Sequence, residues 1–97
     1  PLQDLQVMSK YIPKTARGKA ARIRSKYQKR AGISSHGINA SKSGTMQVAD
    51  WRWSMSPRNP LYKQIQMDVQ LLGGQVFKGG SVGGGMYDFY AAFTTHK

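Results

Sequence analysis

Apolar side chains recur at helical spacing at the head of the chain, at Leu2, Leu5, Met8 and Tyr11. A short helix is expected there, ended by Pro13, whose ring excludes the preceding turn. Thr15 offers an N-cap for a second helix from Ala16 to Arg30. Ala16, Ala20, Ile23 and Tyr27 form one narrow stripe along it, and Gly18 weakens it. The segment AGISSHGINASKSGT, over 31–45, has little apolar content and reads as a Gly/Ser loop or extended tail. The period then changes to two. Ala49, Trp51, Trp53 and Met55 alternate with Asp50 and Arg52, the signature of a half-buried strand.

Pro57 and Pro60 bracket a turn, and Asn59 with Pro60 makes a good helix start. Leu61, Ile65, Val69 and Leu72, with Tyr62 beside them, make the apolar face of this helix, and Gly73 and Gly74 stop it. Glycine dominates the stretch from 73 to 85, with QVFK between its clusters. The tail MYDFYAAFTT reads as a strand through Tyr87, Phe89, Ala91 and Phe93, although Met86, Tyr90 and Phe93 fit a helical face about as well. Two short strands across a Gly-rich turn, packed with the Trp strand and the helix, form the expected core.

Charge divides the chain more sharply than hydropathy does. The formal net charge is +11, from fifteen Lys and Arg against four Asp. Ten of the basic groups lie before residue 46: Lys10, Lys14, Arg17, Lys19, Arg22, Arg24, Lys26, Lys29, Arg30 and Lys42. They face a single acid there, Asp4, whereas both Trp and all three Phe lie after residue 45. The fold class expected is therefore small α+β: a basic, partly helical N-terminal arm over 1–45, followed by a packing unit over 46–97. That unit has one amphipathic helix and short antiparallel strands. No internal repeat or heptad run is apparent.

The candidate chemistry is sparse. Zero cysteine removes disulfides, thiolate metal sites and cysteine nucleophiles. His36 and His96 lie far apart without the close spacings of a metal site, so no metal is expected. Asp4, Asp50, Asp68 and Asp88 are scattered, with no Glu to pair with, so no general acid/base couple stands out. Asp68 is expected on the solvent side of its helix, and Asp50 and Asp88 on opposite strands. GQVFKGGS, over 74–81, nearly matches a phosphate-binding loop, but Gly80 stands where the Lys belongs and no helix clearly follows Ser81. No enzyme activity, cofactor or small-molecule substrate is expected.

What remains is a cationic helix with no acid between residues 5 and 49. Phosphate contact would release condensed counterions, so a polyanion is the natural partner. Tyr11, Tyr27, Trp51 and Trp53 offer faces for base stacking, with core packing the commoner use of the two Trp. A segment with so few large apolar groups is expected to order only within an assembly. In composition and layout the chain resembles ribosomal proteins, which commonly join such an arm to a small compact part. That resemblance implies a structural subunit contacting rRNA and neighbouring ribosomal proteins through the ten basic residues. The Arg- and Lys-rich first thirty residues, opening with Pro rather than Met, suggest a processed mitochondrial chain, with cytosolic and plastid ribosomes as alternatives. The competing expectation is a peripheral accessory subunit of a mitochondrial membrane complex. No apolar run approaches the length of a membrane span.

Overall fold

In a computed structural model, which describes residues 12–96, the order of elements is α-β-β-α-β-β. Helix α1 spans Ala16–Tyr27, strands β1 and β2 span Ser34–Ser43 and Met46–Met55, and helix α2 spans Leu61–Leu71. Strands β3 and β4 span Gln75–Gly83 and Met86–His96. The four strands form one antiparallel sheet in the order β1-β2-β4-β3. The α+β class with antiparallel strands is as the sequence suggests. The first predicted helix lies outside the described residues.

Two differences follow from the edges of the sheet. The expected loop over 31–45 is strand β1, and the boundary at residue 45 falls in the β1–β2 turn, where Ser43 pairs with Met46. From residue 16 onward, the expected arm and packing unit share one sheet and one core. The reason lies in the bulges. β1 gains an extra residue between Ser35 and Ile38, and β3 shifts register between Lys78 and Ser81 and again before Gly83. A bulged edge strand breaks the alternation of period two and blunts the edge against further pairing. Residues 74–81 run mostly in β3, so the near-match to a phosphate loop has extended backbone instead.

Both helices pack on the same face of the sheet. The stripe Ala16, Ala20, Ile23 and Tyr27 is fully buried against it, with Trp51, Trp53, Phe89, Ala91 and Phe93 rising from the central strands. Trp51 stacks on Trp53 at 4.6 Å between ring centroids, Trp53 on Phe89 at 5.6 Å, and Tyr62 meets Phe89 at 4.9 Å. Aromatic area of this size dominates a small core. Trp51 Nε1 donates to Ser35 Oγ at 3.1 Å. Thr15 accepts from Gly18 N–H at 3.0 Å as the α1 N-cap, and Ala16 N–H reaches Thr95 Oγ1 at 3.1 Å.

The architecture contains a repeat that the sequence conceals. Each half is a helix followed by a hairpin, and the halves meet at the central β2–β4 pair. Ala16, Ala20, Ile23 and Tyr27 are matched in spacing by Leu61, Ile65, Asp68 and Leu72, and Ala49, Trp51 and Trp53 by Phe89, Ala91 and Phe93. Gly44 opens the first hairpin turn. Gly84 and Gly85 form the second, with φ of +64° and +79°, backbone angles that suit tight hairpin loops and that glycine adopts without strain.

Candidate nucleic-acid interface

Burial of its apolar stripe turns the cations of α1 to three sides. By helical spacing Arg22 and Ser25 stand farthest from the sheet, and Lys29 lies exposed in the turn just past the C-cap Gln28. Arg17 and Arg24 lie on the flank toward β1, where Arg24 Nε donates to the His36 carbonyl at 3.0 Å. That carbonyl belongs to the bulged stretch of β1. Lys19 and Lys26 lie on the flank toward α2. Lys26 pairs with Asp68 at 2.8 Å, and the Lys19 ammonium sits beside Gly73 at the end of α2, where it complements the carbonyl end of that helix.

Of the ten basic residues singled out from sequence, Lys10 lies outside the described residues. Lys26 is committed to an ion pair and Arg24 to a backbone carbonyl. Lys14, Arg17, Lys19, Arg22, Lys29, Arg30 and Lys42 have no acidic partner among the described residues. Arg17 and Lys42 come together from different elements. They line a shallow recess of about 370 Å³ with Ala40, Ser41, Gln47 and Val48, two cations beside small and polar groups at the β1 edge.

The buried acid corrects one expectation. Asp68 is turned inward, 8% exposed, because it occupies a core position of the α2 stripe. The Tyr27 hydroxyl donates to its Oδ2, which also accepts from Lys26 Nζ. Burial, reinforced by the bond to Asp68, pushes the Tyr27 phenol well above its ordinary value. Tyr27 is thus a strut between helices rather than a ring free to stack on bases. Trp51 and Trp53 are likewise wholly buried, and Tyr11 lies outside the described residues.

The second surface is the face of the sheet that no described element covers, which no sequence motif announced. Asp50 and Asp88 both lie there, on neighbouring strands. Asp88 accepts from Ser54 Oγ at 2.7 Å and from Arg52 Nη2 at 2.9 Å. The Ser54 bond first, and then Arg52, hold its carboxyl below the usual carboxylate range. Arg52, Tyr90 and Phe77 share one row across β2, β4 and β3. The signal that could have found them is the period of two along β4, which puts Asp88, Tyr90, Ala92 and Thr94 opposite the buried Phe89, Ala91 and Phe93. Next to this row a groove of about 420 Å³ runs over Asn39, Ser41, Val48, Asp50, Ala92 and Thr94.

Among the described residues no three His, Cys, Asp or Glu side chains converge as a metal site would require. Nor is any described helix long and apolar enough to cross a membrane. Comparison of the chain with protein-family models, curated proteins and solved structures yields no match.

Proposed function

We propose that this protein is a non-enzymatic RNA-binding subunit of a ribosome-like particle, laying helix α1 and the β1 edge along phosphates. One observation carries the proposal: a helix locked to the sheet by a fully buried stripe presents Arg17 and Arg22 away from the core, with Lys29 exposed in the turn after it, and none of the three has an acidic partner among the described residues. Fixed cations on a rigid element bind a polyanion with little loss of conformational freedom, and Arg offers forked donors to phosphate oxygens. The recess between Arg17 and Lys42 suits one such phosphate. An rRNA in a mitochondrial ribosome is the specific partner we favour, on the basic composition of the first thirty residues. On α2, in the same helical layer, Met67 and Leu71 lie one turn apart, each 63% exposed, a small apolar patch suited to a neighbouring protein. The same patch favours the second candidate, a peripheral accessory subunit of a mitochondrial membrane complex.

The test is sedimentation of the tagged protein from gently lysed cells, with and without ribonuclease. Co-migration with a ribosomal subunit, lost on ribonuclease treatment and lost in the triple variant R17E/R22E/K29E, is the expected result. These three positions avoid Arg24 and Lys26, whose contacts are structural. Co-migration with a membrane complex that ignores ribonuclease would favour the accessory subunit and end the RNA proposal.

A further inference from the structure

The face of the sheet left open by the described elements carries the arrangement that unpaired bases require. Arg52, Tyr90 and Phe77 are cross-strand neighbours in one row over three adjacent strands, each about 4.8 Å from the next. Phe77 is 51% exposed, a large aromatic group left in solvent on a strand with little other apolar content. Tyr90 Cε2 sits 3.1 Å from the position a Cβ on Gly79 would take. The ring therefore lies down over the glycine and is half-buried. Arg52 is held by Asp88, so its planar guanidinium is positioned rather than free. Polar groups flank the row: Gln75 pairs with Ala92, and Asn39 with Asp50, in the next rank across the sheet.

We propose that this row is a stacking platform for single-stranded RNA, two bases lying on Phe77 and Tyr90 with Arg52 beside them. The proposal rests on the RNA-binding role argued for α1 and adds a second contact surface to it. The net charge of the whole chain favours a nucleic acid over a second copy of this chain. The molecule carries +11, and two such chains would repel on approach. Arg52 offsets Asp88, and Asp50 in the next rank has no ion-pair partner among the described residues, so this face can meet bases while the phosphates are left to the cations elsewhere. Phosphates of the same strand would be met at the basic β1 edge, where Arg17 and Lys42 lie next to the groove residues Ser41 and Val48. Aromatic platforms of this kind read exposed bases and ignore duplexes, whose bases are already stacked on each other.

The experiment measures fluorescence anisotropy of labelled single-stranded and duplex RNA of equal length, bound by the full chain at fixed salt. F77A and Y90A should each weaken single-strand binding on the order of 10-fold while changing duplex binding by less than about 2-fold, in keeping with measured base–aromatic stacking. Y90F, which keeps the ring, should bind as the parent does. R22E/K29E should weaken both forms. If F77A and Y90A leave single-strand binding unchanged while R22E/K29E abolishes it, the platform is overturned and the role of α1 stands. If the parent binds neither form, both proposals fall together. If the parent sediments as a dimer that F77A dissociates, the face belongs to a second copy and the platform is overturned.

Discussion

Tyr27 and Asp68 show how a single misplaced charge becomes structural. The acid takes a core position in α2, and the phenol and the Lys26 ammonium from α1 satisfy its outer oxygen. Removing the hydroxyl in Y27F should lower stability by about 1.5–3 kcal/mol, the usual worth of a hydrogen bond to a charged group. The urea midpoint reports it, with the slope unchanged. The same contact sets an alkaline limit. The folded phenol ionises well above its unfolded value, so its contribution is full below about pH 10 and fades as the pH climbs beyond it. Absorbance of phenolate should show the late tyrosine titrating together with loss of structure, and Y27F should lose that step. Asp88 acts in the opposite direction. Its depressed pKa stabilises the fold above the ordinary carboxylate range, and the contribution disappears as pH falls through the folded value. Stability of D88N should therefore depend less on pH on the acid side.

Among the elements, α2 and its stop give the sharpest contrast. Gly73 N–H bonds the Gln70 carbonyl and Gly74 N–H the Val69 carbonyl, both at 2.9 Å, closing the helix with Gly73 at φ +82°. Gly73→Ala should cost roughly 1–2 kcal/mol from the left-handed backbone alone. Gly74→Ala should cost more, since its Cβ would stand 2.5 Å from the Phe93 ring and 2.6 Å from the Ala92 carbonyl. Gly80→Ala meets nothing within 4 Å and should be close to neutral. Thermal melts of the three variants would rank them. What could be read from sequence divides along the same elements. α1, β2 and α2 declare themselves, because Ile23, Trp51 and Val69 belong to periodic stripes facing one core. β1 does not, because an edge strand buries little. Its bulge brings Ser35 and Ile38 to the inner face three residues apart rather than two. The cations of α1 were legible as charge, and their division into paired and free was not. That division depends on Asp68 and the His36 carbonyl, which the fold brings from distant parts of the chain.

As a whole the described molecule is a slab 17 Å thick by 41 × 35 Å, one layer of helices on one sheet. At that thickness no described element covers the far side of the sheet, where Ser54 and Asp88 shield each other and are 5% and 8% exposed. Charge is segregated between the two sides, with the unpaired cations of α1 on the helical layer and Asp50 and Asp88 on the other. Crowded like charges oppose folding, and salt screens them over about 8–10 Å. Added sodium chloride should therefore raise the melting temperature of the free protein. Relief on the order of 1 kcal/mol would shift it by roughly 4–8 °C in scanning fluorimetry. A fall instead would mean that the two ion pairs outweigh the repulsion. The bond from Ala16 to Thr95 joins the first turn of α1 to the last strand, so the backbone closes nearly into a ring of two similarly built halves. A circular permutant opened between Ser56 and Asn59, with Ile12 linked to His96 through a few Gly and Ser residues, should fold to the same sheet. Its hairpins would simply be made in the reverse order.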